Sequence, residues 1–344
     1  MRDAADSPVA SCRPLSQHRS LPATRSWLVI ANPAAGRAGH DTRAWRTTER
    51  ALRQAGIEFD VEWTRCRGDG ARIAAAAWRE GRDRFLVAGG DGSLHDAVNG
   101  LMRERCNDRT VADDSTPRTP TVIPLPLGTG NDWARSLGLP RRPATLAAAI
   151  QRGHHTLHDA GRIDFLDATG ATRDTSWFIN VAGAGFDAHV IERMSGRTPS
   201  RFAYLYGALR ELGRYRSPEF QLTLLDAPGD DNGSRVEGRW LLSFVANGQY
   251  CGGGMHVAPA AHQDDGLFDV VTIEALGLLR ALPKLARLYS GGILRDRAVR
   301  MRVASRLRID ASPAAGLEAD GQFVGRTPAV ITIEPAALRT LRGA

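Results

Sequence analysis

Cysteine is scarce in this chain. Cys12, Cys66, Cys106 and Cys251 fall at spacings that match neither a metal-ligand motif nor a disulfide framework. They are expected to be reduced thiols in a cytosol. Long apolar runs are missing too, and no stretch approaches the roughly 18–20 residues that span a bilayer. The N-terminus carries Arg2, Arg13, Arg19 and Arg25 among Pro and Ser without an apolar signal-peptide core, so residues 1–25 are expected to be a disordered basic arm. Lysine is almost absent, and arginine supplies nearly all of the formal net charge of +7. Such a charge favours anionic partners: nucleotides, nucleic acid or acidic lipid head groups. Nucleic acid is set aside, because neither a recognition motif nor an interleaving of aromatic with basic residues supports it.

What is present is a chain of 344 residues, long enough for two domains and for an ample core without disulfides. Its most informative stretch is 85–101. Phe85, Leu86, Val87 and Ala88 read as a strand buried on both faces, and Leu94, Val98 and Leu101 then recur at helical spacing. The turn Gly89, Gly90, Asp91, Gly92, Ser93 therefore lies where a strand ends and a helix begins. Its glycines let backbone approach a bulky ligand, and the first free N–H groups of the helix attract an anion. Asp91 is the residue to explain, since a carboxylate beside phosphate repels it unless a divalent cation lies between them or the carboxylate handles a proton. An Asp-Gly hairpin turn is the alternative, but the residues that follow have helical period.

Strand and helix signals alternate through the first half. Trp27 to Ala31 is a strand, followed by a turn from Asn32 to Arg37 and a helix from about Asp41, a candidate cap, to Ala55. Glu58 to Trp63 alternates like a strand, Asp69 to Arg79 is helical, and Thr121 to Leu125 is a further strand. Pro126 to Asp132 makes a second glycine turn, and a helix over Trp133–Leu139 ends at Pro140. Residues 107–120 read as a surface loop. Repeated β-α units indicate a parallel sheet covered by helices on both faces. Ligands bind beyond the carboxyl ends of such strands, so the turns at Asn32, Gly89 and Gly128 should share one edge.

From about Leu157 the texture changes to short β-rich runs: Leu157–Phe165, Ser176–Val181, Phe220–Leu225, Trp240–Ala246, Phe268–Ile273, Val299–Val303, Leu307–Ile309 and Val330–Ile333. Helical inserts fall near 200–214 and 277–290. The fold class is α/β plus β: an α/β nucleotide-binding domain over 26–153, a β-sandwich over 154–326, and a segment 327–344 expected to return to the first domain.

Asn32-Pro33 with Gly36, Gly89-Gly90-Asp91-Gly92-Ser93, Gly128-Thr129-Gly130-Asn131-Asp132 and Asp264-Asp265-Gly266-Leu267, taken in that order, resemble the diacylglycerol kinase catalytic family. The resemblance runs from about residue 26 to the C-terminus. It implies ATP as phosphoryl donor, Mg2+, and a lipid substrate, such as diacylglycerol, reached at a membrane surface by a cytoplasmic protein. It places Asn32, Pro33 and Gly36 on the nucleotide, the loop Gly89 to Ser93 around its phosphates, and Thr64, Thr129 and Asn131 as further contacts. Asn32-Pro33 is equally an ordinary turn opener, Thr64 an ordinary loop residue, and Asn131 and Asp132 equally caps of the following helix. The resemblance also implies a second metal site, with the carboxylate of Asp265 and the backbone carbonyls of His262 and Leu267 on a magnesium ion. A plain Asp-Asp-Gly turn is the alternative. Asn247, Gly248, Gly252, Gly253 and Gly254 around Tyr250, and Gly183, Gly185, Phe186 and Asp187, are implied to border the interdomain cleft.

One residue departs from the family. Members usually carry Asp-Gly-Glu where this chain has Asp320, Gly321, Gln322. The family's glutamate is thought to take the lipid hydroxyl proton, and a carboxamide cannot. The base role passes to Asp91 or Asp320, with Gln322 orienting the hydroxyl. Asp91→Ala is then expected to abolish transfer and Gln322→Glu to preserve or raise it. Leu278, Leu279, Leu282, Leu285, Ala286 and Leu288 with Arg280, Lys284 and Arg287 form a basic amphipathic segment suited to an anionic surface. Tyr204, Leu205, Leu212, Arg210 and Arg214 make a weaker second. Burial of both against the sheet is the competing reading. The rival functions are an NAD kinase, which shares the Gly-Gly-Asp-Gly loop but continues differently from Leu94-His95-Asp96, and a nucleotide-binding regulatory protein without catalysis. The residues leave open which lipid is used and the oligomeric state.

Overall fold

A computed structural model describes residues 26–35, 43–111, 118–194, 211–228, 233–275, 284 and 287–342. Strands β1 (Trp27–Ala31), β2 (Phe59–Trp63), β3 (Arg84–Gly89) and β4 (Thr121–Pro126) run parallel in the order β4-β3-β1-β2. All five residues of β1 are buried and apolar, as a strand covered on both faces requires. The cover comes from α1 (Arg43–Gln54), α2 (Asp69–Arg79), α3 (Asp91–Val111), α4 (Asp132–Ser136) and α5 (Pro143–Arg152). Trp45 and Leu52 of α1, Ile73 and Trp78 of α2, Leu94, Val98 and Leu101 of α3 and Leu146 and Ile150 of α5 close one core around the sheet.

Two helices end elsewhere than the sequence reading has them, and α3 also begins earlier, at Asp91 within the turn rather than after Ser93. α3 extends to Val111 instead of giving way to a loop at 107, and Trp78 Nε1 donates to Asp108 Oδ2 at 2.7 Å, tying that extension to α2. α4 stops at Ser136 instead of Leu139, because Gly138 turns the chain with φ +63° before Pro140.

The second part is built from β5 (His155–Leu166), β6 (Thr172–Phe178), β7 (Val181–Gly185), α6 (Phe186–Met194), β8 (Glu219–Asp226), β9 (Arg235–Ala246), the short hairpin β10 (Tyr250–Cys251) and β11 (Met255–His256), β12 (Phe268–Glu274), β13 (Val299–Ala304), β14 (Arg306–Ser312), β15 (Gly316–Ala319), β16 (Gln322–Arg326) and β17 (Ala329–Leu341). It is a β-sandwich whose interior holds Phe165, Phe178, Phe220, Leu222, Phe268, Leu307, Ile309, Leu317 and Ile331. β17 is long enough to serve both parts: it pairs antiparallel with β5 and β14, and near its end Arg339 stands opposite Thr121 of β4 in parallel.

The run Ser176–Val181 is two strands, not one. β6 ends at Phe178 and β7 begins at Val181, because the N–H groups of Ile179, Asn180 and Val181 all donate to the carboxylate of Asp320, at 2.9, 3.0 and 3.2 Å, and are lost to a ladder. Of the basic amphipathic segment, Leu278, Leu279, Arg280, Leu282, Leu285 and Ala286 lie outside the described residues, as do Tyr204, Leu205 and Arg210 of the second. Leu288 is buried among Val257, Ile273 and Ile293, Arg287 pairs with Asp296 at 3.0 Å, and Lys284 pairs with the same carboxylate. Leu288 therefore packs against the sandwich, while the Lys284 and Arg287 charges are engaged by Asp296. No helix among the described residues is long and apolar enough to cross a membrane.

Candidate active site

The parallel sheet delivers its turns to one edge. After β1, the Asn32 side chain accepts the N–H of Ala34 at 2.9 Å and donates to Ser93 Oγ at 2.9 Å, joining the first turn to the start of α3. After β3, the Gly89 carbonyl accepts the N–H groups of Leu127 and Gly128, both at 3.0 Å, so the second and third turns interlock. Gly90 and Gly128 cross backbone to backbone, and a Cβ on Gly128 would strike Gly90. Asn131 sits at φ +54°, in the position of an N-cap, yet its amide donates to the Gly128 carbonyl at 2.7 Å rather than capping α4.

Asp91 opens the 21-residue α3 and lies at the centre of this edge. Its Oδ2 accepts the N–H of Asn131 at 2.8 Å and its Oδ1 that of Asp132 at 2.9 Å. Burial, helped by the neighbouring Asp132, raises its pKa to about 6 against the pull of those N–H groups. Asp132 is itself buried, and burial raises its pKa although Arg135 pairs with it. Its Oδ2 accepts the N–H of Gly253 at 2.6 Å, which fastens α4 to the β10–β11 hairpin of the sandwich.

A cleft of about 260 Å3 separates this edge from the sandwich. Gly90, Asp91, Gly92, Thr129 and Gly130 line one wall, and Asn180, Cys251, Gly253, Asp320 and Gln322 line the other. Asp320 adopts φ +48° to reach the three N–H groups it holds, and burial raises its pKa to about 7 despite them. Behind it, Glu318 and Asp187 of α6 converge over Gly183, where a Cβ would collide with both carboxyls. Burial drives both pKa values upward, so the pair keeps a proton where an exposed acid would have lost it. Burial beside these acids also pushes the Cys251 thiol well up, which removes it as a nucleophile.

The sequence-predicted residues thus divide. Gly89, Gly90, Asp91, Gly92, Ser93, Thr129, Asn131, Asp320 and Gln322 meet at or around the cleft, and Asn32 joins them through Ser93. Pro33 lies in the turn after β1, and Thr64 follows β2 with its N–H on the Ala31 carbonyl at 2.9 Å. Neither lines the cleft. Gly36 lies outside the described residues. Gly183 and Gly185 are in β7 and Phe186 and Asp187 in α6, behind the cleft wall rather than on it.

His262, Asp265 and Leu267 lie on a different loop. His262 borders a separate cavity of about 250 Å3 with His158, Gln249 and Arg342. Asp265 is exposed and its Oδ1 accepts the N–H of Leu267 at 3.0 Å, an ordinary Asx turn. Among the described residues no group of three or more His, Cys, Asp or Glu side chains is arranged to hold a metal ion. Residues missed from sequence are Glu318, whose pairing with Asp187 was not foreseen, Asn180, which accepts from Ser136 Oγ at 2.8 Å, and Arg67, which donates to Gln322 at 3.2 Å. They come from separate elements, and no local spacing marks them.

Comparison with known proteins bears on both parts. Residues 26–163 match the diacylglycerol kinase catalytic domain, and residues 180–342 match the YegS C-terminal NAD kinase beta sandwich-like domain. The chain is similar to a diacylglycerol kinase of Mycobacterium tuberculosis, 31% identical over 80% of this chain and 81% of that one. It is also similar to a diacylglycerol kinase of Bacillus subtilis, 26% identical over 87% and 90%. A diacylglycerol kinase structure from Bacillus anthracis shares the fold, with a TM-score of 0.63 at 20% identity over 92% of this chain and 97% of that one. With both parts matched in order and the glycine turns gathered around Asp91, the chain belongs to the diacylglycerol kinase catalytic family and is a kinase.

Proposed function

We propose that the chain is an ATP-dependent lipid kinase that moves the terminal phosphoryl group of ATP to the hydroxyl of a lipid such as diacylglycerol. One observation carries this reading: Asp91, held by two N–H groups at the start of a long helix, faces Asp320 and Gln322 across a cleft between the two parts of the chain. The crossed glycine turns leave room for phosphates, and the α3 N-terminus attracts them. Asp91 accepts the hydroxyl proton as that oxygen attacks phosphorus and the bond to the nucleotide's bridging oxygen breaks. With a pKa of about 6 it is ionised at neutral pH and still basic enough for the task. Asp320 serves as a clamp, since both its oxygens hold the backbone of 179–181.

Magnesium enters in two places. The donor nucleotide would be taken as its magnesium complex, whose ion would neutralise phosphate charge beside the Asp91 carboxylate. The second site fits the loop at 262–267 in its donor chemistry. Asp265 offers a carboxylate and His262 and Leu267 offer carbonyls. Nearby, buried Asp269 Oδ2 has no hydrogen-bond partner among the described residues, and Asp265 raises its pKa further beyond burial. A hard cation there would neutralise these carboxylates and fix the loop.

The test is phosphorylation of a lipid panel containing diacylglycerol, a monoacylated lipid, a sphingoid base and phosphatidylglycerol, with NAD in a parallel reaction. Transfer to one lipid is expected, identified by product mass. Transfer to NAD, or to no acceptor despite ATP binding, would overturn the reading.

A further inference from the structure

The mouth of the cleft carries a guanidinium that takes no part in the proton transfer, and a role for it rests on the kinase reading. Arg67 lies exposed in the turn between β2 and α2, and its Nη2 donates to Gln322 Oε1 at 3.2 Å. The other end of that amide is fixed as well: Nε2 donates to the Gly321 carbonyl at 3.1 Å. Gln322 also stands against the phosphate turn, since a Cβ on Gly92 would lie 3.1 Å from its Nε2. Arg67 is thereby held beside the first turn of α3. Its charge is felt there, adding to burial in lowering His95 and pulling against burial on Asp96. The Asp96 carboxylate accepts the N–H of Gly68 at 3.1 Å. A guanidinium, a helix N-terminus and a neutral amide partner together leave positive potential for an anion to meet.

We propose that Arg67 binds the polyphosphate end of the nucleotide and that Gln322 is its positioning residue. The departure from the family's glutamate then has a purpose. An amide offers both a donor for the Gly321 carbonyl and an acceptor for Arg67. A carboxylate at 322 would set charged oxygen against that carbonyl and neutralise the guanidinium that phosphate needs. In phosphoryl transfer, charge spreads over the equatorial oxygens of a loose transition state, and a guanidinium there stabilises it while contributing no base.

Calorimetric titration of the full chain with ATP·Mg2+ and with adenosine tests this. Arg67→Ala should weaken ATP·Mg2+ by about tenfold or more, the usual worth of a hydrogen bond to a charged group, and leave adenosine unchanged. Arg67→Lys should recover part of the loss. Raising salt should narrow the gap between wild type and Arg67→Ala, as a structural role would not. Contrary to the expectation from the sequence that it would preserve or raise transfer, Gln322→Glu should weaken ATP·Mg2+ in the manner of Arg67→Ala, because of the Arg67 and Gly321 contacts of the amide, and the double variant should lose little more than either. Unchanged ATP affinity in Arg67→Ala, or a gain in affinity or turnover in Gln322→Glu, would overturn the proposal while leaving the kinase reading intact. Failure of the wild type to bind ATP·Mg2+ would sink both.

Discussion

The two walls of the cleft seat carboxylates by the same device and with opposite results. On the first wall Gly130 leaves room for Asp91, and on the second Gly183 leaves room for Asp187 and Glu318. Asp91 opens onto the cleft with an N–H on each oxygen, and its pKa stops at about 6. Asp187 and Glu318 are shut behind the wall, and Asp187 Oδ2 has no hydrogen-bond partner among the described residues. A helix N-terminus and solvated opening make a usable base. Burial against another acid makes a liability that the fold tolerates.

The comparison breaks first at Asp91. Asp91→Ala should lower kcat/KM by about a thousandfold or more, the worth of a positioned base, and wild-type-like turnover in a lipid phosphorylation assay would remove Asp91 from the mechanism. In the wild type, the ionised form is lost as pH falls through the pKa of about 6, so kcat/KM should drop about tenfold per unit below that point and level off above it. The next largest effects separate the walls. Gly183→Ala drives a methyl into two buried carboxyls and should cost about 3 kcal/mol in denaturant unfolding, the upper range for overpacking. Gly130→Ala meets only the carboxylate tip of Asp91 at the cleft, so it should cut kcat about ten- to a hundredfold by misplacing the base while changing the melting temperature far less than Gly183→Ala does. Equal effects of both variants on stability would erase the distinction.

How much of the molecule the chain announced follows the same division. The first wall is written in contiguous turns, Gly89–Ser93 and Gly128–Asp132, because a parallel sheet places successive strand ends on one edge. Trp27–Ala31 and Asp69–Arg79 were legible to the residue from an apolar run and from helical period. The second wall is assembled from β7, α6, β15 and β16, and β15 pairs with β7 across more than a hundred residues of sequence. Nothing near Asp187 foretells Glu318. The break at Ile179–Asn180 was equally hidden, since its cause is the Asp320 side chain reaching from far along the chain. Gln322 was visible as a departure, but its partner Arg67 was not, for the same reason.

The smallest expected effect sharpens the contrast most. If the buried pair is a liability, removing one negative charge while keeping shape should stabilise the protein. Asp187→Asn does so, and its new amide can donate to Glu318, which a second carboxylate cannot. The sign with pH is fixed by the direction of the shift. The Asp187 pKa is raised above its ordinary 3.8, so the native state binds the proton more tightly than the unfolded chain. Wild-type stability contributed by this group is full in acid and declines as pH rises past 3.8 toward the raised value. Asp187→Asn should therefore melt with the wild type near pH 4 and about 2–4 °C above it at pH 8, in scanning calorimetry. A loss of stability at pH 8 would mean that Asp187 is needed in its charged form, and the two walls would then differ in exposure alone.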